Sequence, residues 1–157
     1  MGPSPDRVAT LLPLAVAVPL TFFTVIIHAL AIMPIVYFVR RELTRGRAGV
    51  QFWRDVGIVA LVALDALAAH LIAVATWAVV FTLYGEFSQL SAALYHSAMN
   101  YTTLGDSDKV MSPSWRLLAP LEAANGMLMF GVSTAMLFAV IQRLILTRLR
   151  DPSNYDT

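Results

Sequence analysis

The sequence predicts an all-α membrane protein with three transmembrane helices and one re-entrant segment. Of its 157 residues, 58% are hydrophobic and 13% are charged, whereas soluble domains average roughly 45–50% apolar and roughly 25% charged residues. Three apolar runs exceed the roughly 20 residues that cross a bilayer. The chain has no cysteine, which excludes disulfides, iron–sulfur clusters and thiolate zinc sites.

The first apolar run, residues 8–39, contains no formally charged residue and predicts an N-terminal transmembrane helix. Pro13, Pro19 and Pro34 are candidate kink sites within it. A cleaved signal peptide is the alternative interpretation. The run is much longer than the roughly 7–15 apolar residues of such a peptide, which favours the transmembrane helix.

Basic residues predict the orientation of the chain in the membrane. Residues 40–55 form a basic loop, and a second basic cluster, residues 143–150, joins the end of the last apolar run to the tail, residues 147–157. Eight of the eleven cationic side chains fall at these two ends: Arg40, Arg41, Arg45, Arg47, Arg54, Arg143, Arg148 and Arg150. The positive-inside rule places both in the cytoplasm and the amino terminus outside. Such arginines are ordinary topology markers, which favours this interpretation over a patch for lipid headgroups or nucleic acid.

Between the second and third apolar runs lies a segment that is too short to cross the membrane. It is followed by the polar turn Thr102-Thr103-Leu104-Gly105-Asp106-Ser107-Asp108. Exposed to lipid, each unpaired backbone group of this turn would cost several kcal/mol. An ordinary extracellular loop is the alternative, but it leaves the short apolar segment unexplained. The pattern therefore favours a re-entrant hairpin whose turn lines a protein-enclosed path.

The composition of this turn suits a path for cations. Inward-pointing backbone carbonyls can replace the water shell of an ion, and small residues let the strand bend. A short helix that ends just before the strand aims its negative end at the ion. One strand cannot encircle an ion, so several chains are required, and one unit per chain suggests four.

These residues resemble the pore module of the potassium-channel superfamily. The similar positions are Ala93-Leu94-Tyr95-His96-Ser97 in the short helix, Thr102 to Asp108 in the turn, and Pro113, Arg116, Glu122 and Gly126 in the last apolar run. The resemblance covers roughly residues 85–146. It implies a homotetrameric channel in the plasma membrane, without enzymatic activity, whose partners are its own copies and the lipid bilayer, with no nucleic acid or soluble partner.

The resemblance also divides the chain into parts. It assigns residues 56–146 to a pore domain, whereas residues 8–39 are additional to the minimal two-helix pore. The pore domain then comprises an outer helix at residues 56–84, a pore helix at 87–102, a selectivity filter at 103–108 and an inner helix at 114–146.

The filter departs from the potassium-selective pattern Thr-Val-Gly-Tyr-Gly at two places. Asp106 replaces the aromatic residue, and Ser107 replaces the second glycine. Bacterial non-selective sodium and potassium channels, with Thr-Val-Gly-Asp-Gly, resemble it better. The resemblance thus implies conduction of both K⁺ and Na⁺, with a potassium-selective channel or a non-conducting scaffold as alternatives.

Several groups are predicted to bind the permeating cations, and no cofactor is expected. They are the carbonyls of Thr103, Leu104 and Gly105 and the Thr103 hydroxyl, with Asp106 at the exit of the filter. In a tetramer Asp106 and Asp108 would each form a ring of carboxylates, which could admit Ca²⁺ or be blocked by it.

Other polar or small residues in the apolar runs are candidates for packing or gating. His28 and Asp65 are expected at similar depth and to pair, either as a structural hydrogen bond or as a proton-sensitive latch. Glu122 is expected to brace the pore helix through Asn100 or to be solvated. Gly126 and Gly131 are expected to act either as gating hinges or as sites of close helix packing.

Overall fold

The computed structural model describes residues 5–105 and 109–150, with side chains from 11 to 105 and from 109 to 149. These residues form four helices and no strand: α1 Pro5–Thr44, α2 Phe52–Leu83, α3 Leu90–Tyr101 and α4 Leu118–Arg150. The predicted filter residues Asp106, Ser107 and Asp108 and most of the predicted tail lie outside the described residues.

Three of the described helices are long and apolar enough to cross a membrane. They are Leu11–Thr44, Phe52–Leu83 and Leu118–Leu149. The shorter helix α3 has 12 residues, about 18 Å at 1.5 Å per residue, which is less than the roughly 30 Å hydrocarbon core. The predicted all-α membrane protein is therefore confirmed, and the chain is a multi-pass membrane protein.

The helix ends differ from the predicted bounds by a few residues. Helix α1 continues through the basic segment to Thr44, because arginine, glutamate and leucine favour helix. Gly46, two residues beyond this end, has φ 63°. Its N–H bonds the Leu43 carbonyl, and the Arg47 N–H bonds the Glu42 carbonyl. This is a Schellman ending. The predicted loop 40–55 is thus helical at both ends.

Helices α3 and α4 begin later than predicted. Helix α3 follows Gln89, which has an extended backbone. Before α4, the N–H groups of Trp115 and Arg116 both bond the Ser112 carbonyl, so the segment after Pro113 forms tight turns rather than the first turn of the helix.

The described chain divides into two compact units. The first comprises Met1–Ile27 and His70–Phe130. Its core contains the fully buried Trp77 and Phe81 of α2, with Phe87 and Leu118, and Ala17 and Leu20 of α1 join the same cluster. The amino-terminal part of α1 is therefore an integral part of this unit.

The second unit comprises His28–Ala69 and Gly131–Thr157. Its core is an aliphatic cluster of Ile35, Val39, Ala48, Ile58, Val62, Val140 and Leu144. At its polar end the Asp55 carboxylate accepts hydrogen bonds from the Gly49 N–H at 2.8 Å and from Arg148 at 2.7 Å. A Cβ on Gly49, whose φ is 80°, would lie 2.7 Å from Cβ of Thr147, so only glycine fits there.

Candidate functional site

The candidate site begins where α3 ends. Thr102 caps the helix: its N–H bonds the Ala98 carbonyl at 3.1 Å, and its hydroxyl bonds the same carbonyl at 2.7 Å. The chain then turns back on the helix end, because the Thr103 N–H bonds the Asn100 carbonyl at 2.8 Å and the Gly105 N–H bonds that of Met99 at 3.0 Å.

The backbone from Thr103 to Gly105 alternates in handedness. Thr103 has φ 64° and Gly105 has φ 69°, whereas Leu104 between them does not have a positive φ. Alternation of this kind can turn successive N–H groups to one side of the chain, and the N–H groups of Thr103 and Gly105 both bond carbonyls at the end of α3. A β-branched residue rarely adopts a positive φ. Thr103 therefore stores strain of about 1–3 kcal/mol, and such strain is concentrated at functional sites.

Buried polar contacts join α3 to α2 and α4. The Ser97 hydroxyl lies 2.8 Å from the Val74 carbonyl of α2 and donates a hydrogen bond to the Glu122 carboxylate of α4. Ser97 and Glu122 are both fully buried. The predicted partner Asn100 also interacts with this carboxylate, but its Nδ2 is buried without a hydrogen bond of good geometry among the described residues. The stronger contact from Glu122 to α3 is therefore made one turn earlier, at Ser97.

Gly126 permits a close approach between two helices. A Cβ at this position would lie 2.0 Å from the Tyr101 carbonyl oxygen, so the backbone of α4 lies directly against the end of α3. A Cβ at Gly131 would meet nothing within 4 Å. Of the two interpretations of Gly126, this geometry favours close packing; hinge roles for Gly126 and Gly131 stay predictions.

Comparison with protein families gives one match. Residues 69–143 match a family model described as an ion channel. The match supports a potassium-channel-like pore module. It spans a little under half of the chain, from the middle of α2 through α3 and Thr103–Gly105 into α4, and it supports a passive ion channel as the function. The comparisons with curated proteins and with solved structures gave no match.

The pore module contains a polar contact that the sequence did not predict. The hydroxyl of Tyr101, at the end of α3, lies 3.1 Å from Nδ1 of His70 in α2. Both rings also contact Phe130 of α4, the histidine ring stacking on it with centroids 4.3 Å apart. No spacing in the sequence links these residues, since they come from three different helices.

A second contact that was not predicted joins α1 to the pore module. The Thr24 hydroxyl donates to Oδ1 of Asn125 at 3.0 Å, and both residues are buried. Asn125 immediately precedes Gly126. Residues 11–27 of α1 thus contact α4 beside the point where α4 meets the end of α3.

Hydrogen bonds join the segment before α3 to the segment that begins at Lys109. The Glu86 carboxylate accepts hydrogen bonds from the Ser112 N–H at 2.8 Å and the Ser112 hydroxyl at 2.6 Å. Lys109 donates to the Glu86 carbonyl, and its ammonium lies 4.5 Å from the centroid of the Phe87 ring. This network holds Lys109 and Ser112 close to the start of α3.

The pairing of His28 with Asp65 stays a prediction. Both residues belong to the second unit, and His28 is buried. Oδ2 of Asp65 is buried without a hydrogen-bond partner among the described residues. Equal depth along two helices does not fix the face on which each side chain lies.

The described residues also contain no group of three His, Cys, Asp or Glu that could hold a metal ion.

Proposed function

We propose that the protein is a homotetrameric channel through which K⁺ and Na⁺ pass passively across the plasma membrane, and that it catalyses no reaction. The alternating backbone of Thr103, Leu104 and Gly105 at the end of α3 carries this proposal. Four such strands around an axis would offer rings of carbonyl oxygens that replace the hydration shell of a cation. The Thr103 hydroxyl adds one oxygen per chain.

The surroundings of α3 support the same function. Its carboxyl-terminal end leads directly into Thr103, so the negative end of the helix dipole lies beside the carbonyl strand. Buried contacts from Ser97 and from Gly126 restrain the helix in each chain. Such restraint keeps ligand positions within the narrow tolerances that recognition of an ion needs.

Selectivity between K⁺ and Na⁺ depends on the outer part of the filter. With Asp106 and Ser107 in place of an aromatic residue and a glycine, the outer filter lacks the groups that the potassium-selective pattern uses. We propose that both monovalent cations pass. The carboxylates of Asp106 and Asp108 would concentrate cations at the mouth, with Ca²⁺ permeating or blocking there.

The proposed orientation has the amino terminus outside and the carboxyl terminus in the cytoplasm. It follows from eight of the eleven cationic side chains lying in residues 40–55 and 143–150. In this orientation Glu86 and the filter lie on the outer side.

Flux measurements on purified protein in liposomes test the proposal. We expect uptake of both K⁺ and Na⁺, and reversal potentials near zero when the two ions are opposed. We expect Asp106→Asn to weaken Ca²⁺ block or entry. Glu42→Gln, which removes a carboxylate from the basic end of α1 on the proposed cytoplasmic side, should leave both unchanged. A reversal potential close to that of K⁺ would indicate the potassium-selective alternative. An intact tetramer without flux would overturn the channel and favour a scaffold.

A further inference from the structure

A groove of about 640 Å³ lies between α1 and α4 within the second unit. Its walls are largely apolar, formed by Val36 and Leu43 of α1 and by Met136, Ala139 and Val140 of α4. Two arginines also line it, Arg40 and Arg143. This volume falls within the roughly 300–1,000 Å³ typical of ligand sites.

The two arginines have no acidic partner among the described residues. The acidic side chains of the neighbouring turns are already engaged: Glu42 lies 4.0 Å from Arg45, and Asp55 lies 2.7 Å from Arg148. Arg40 and Arg143 therefore bring two positive charges to one apolar groove, and no acidic side chain of the described ranges neutralises them. Both are exposed on the single chain.

We propose that this groove binds an anionic phospholipid, with its phosphate held by Arg40 and Arg143 and an acyl chain lying along the apolar wall. The guanidinium group matches phosphate geometry with paired hydrogen bonds. Basic pockets between transmembrane helices suit anionic headgroups. The groove lies near the ends of α1 and α4, where the stems of arginine side chains can follow the apolar surface while their charges stay at headgroup level.

This site includes α1, most of which lies outside the matched pore module. Arg40 and Val36 come from α1, whereas Arg143 comes from the last turns of α4. A lipid bound here would bridge the additional helix and the inner helix. The inference does not depend on which ion the protein conducts.

A neighbouring groove shows what distinguishes the proposed site. It lies between α2 and α4, and its lining includes Val56, Ile141 and Ile145 together with Asp55 and Arg148. Its arginine is already paired with Asp55 at 2.7 Å. We therefore expect no preference for anionic lipid at this second groove.

Lipid-dependent thermal unfolding of the full-length protein in detergent tests the proposal. Dioleoyl-phosphatidylglycerol is expected to raise Tm more than dioleoyl-phosphatidylcholine, which has the same acyl chains. The double variant Arg40→Gln/Arg143→Gln should weaken the phosphatidylglycerol affinity on the order of ten-fold or more. The double variant Arg45→Gln/Arg54→Gln, which removes the same charge nearby, should retain it.

A steric variant separates the groove from general surface charge. Ala139→Trp fills the apolar wall and should weaken phosphatidylglycerol binding although both arginines remain. Ala63→Trp, on an exposed face of α2, is its control. Glycerol phosphate without acyl chains should give no increment in Tm, whereas an equal increment would show a phosphate site rather than a lipid site.

Three results would overturn the lipid site. The first is an equal loss of phosphatidylglycerol affinity in the two arginine double variants, and the second is an equal rise in Tm with the two lipids. The third is unchanged lipid binding in Ala139→Trp accompanied by loss of the tetramer, which would assign the groove to a second copy of the chain. If the double variant does not fold, the single variants Arg40→Gln and Arg143→Gln should each weaken binding. Unchanged binding in both would also refute the proposal.

Discussion

Ser97 in α3 donates a hydrogen bond to the carboxylate of Glu122 in α4, and both side chains are fully buried. The same hydroxyl lies 2.8 Å from the Val74 carbonyl. A serine hydroxyl has a single hydrogen, so it can donate to only one of these two oxygens at a time. If the side chain at position 122 carried a hydrogen-bond donor, that group could donate to the Ser97 oxygen while the Ser97 hydroxyl donates to the Val74 carbonyl.

Replacement of Ser97 or Glu122 tests the value of this contact. Ser97→Ala leaves two buried acceptors without their donor and should destabilise the protein by about 1–3 kcal/mol. Glu122→Gln should cost less, because its amide can donate to the Ser97 hydroxyl. Thermal unfolding of the purified protein in detergent measures both. Ser91→Ala, on the exposed side of α3, is the matched control, and a loss there as large as in Ser97→Ala would contradict the interpretation.

The two glycines of α4 should respond in opposite ways to alanine. Gly126→Ala places a methyl group 2.0 Å from the Tyr101 carbonyl oxygen, so α3 and α4 must separate, at a cost of about 1–3 kcal/mol or more. Gly131→Ala meets nothing within 4 Å and should be neutral or stabilise α4 by up to about 1 kcal/mol.

Unfolding of the two alanine variants in parallel, with flux as a second measurement, distinguishes packing from hinge bending. A stable Gly126→Ala protein that has lost gating would favour the hinge. Stability lost together with flux would favour packing.

The sequence predicted the helices well because long apolar runs leave few alternatives in a bilayer. Residues 8–39 correspond to a continuous α1 in which Pro13, Pro19 and Pro34 are all contained. The ends were harder to predict, since Gly46 stops α1 through hydrogen bonds that depend on the local turn. Hydropathy carries no information about such turns.

Contacts between helices were the least predictable feature. Thr24 and Asn125 are 101 positions apart, and neither has a periodic pattern that singles it out. Depth alone suggested that His28 pairs with Asp65, but depth does not specify the helix face. By contrast, Thr103 and Gly105 could be singled out because a polar, glycine-containing turn at membrane depth needs an enclosed path.

The conformation of Gly105 should matter for conduction beyond its effect on stability. Its φ is 69°, and nothing lies within 4 Å of the position that a Cβ would occupy. Gly105→Ala therefore meets no steric obstacle and costs about 1–2 kcal/mol through its backbone alone. If the proposed carbonyl strand conducts ions, the variant should also lose most cation flux.

Gly85→Ala provides the matched control for Gly105→Ala. Gly85 has φ 75°, also with open space around a Cβ, but it ends α2 rather than forming the strand. It should therefore lose similar stability and retain flux. Equal flux in the two variants, at equal amounts of folded protein, would remove Gly105 from the conduction path.

Acidification should destabilise the protein through His96. Burial lowers the pKa of His96, the positive charge of Lys109 lowers that pKa further, and Glu86 partly opposes the shift. The unfolded chain then takes up a proton near pH 6.5 while the folded protein still excludes it. The stability from neutral His96 is therefore present above about pH 6.5 and falls as the pH drops below that value.

Tm measured at pH 7.5 and 5.5 on the full chain quantifies this effect. His96→Gln should reduce the difference between the two values, and Lys109→Gln should also reduce it, because loss of the ammonium brings the folded pKa closer to the unfolded one. Comparison within each variant cancels the constant cost of losing its other contacts. Arg116→Gln, which removes a charge from the same small cavity beside His96, should change the difference less than Lys109→Gln does. A difference that persists unchanged in His96→Gln would assign the acid sensitivity to another group.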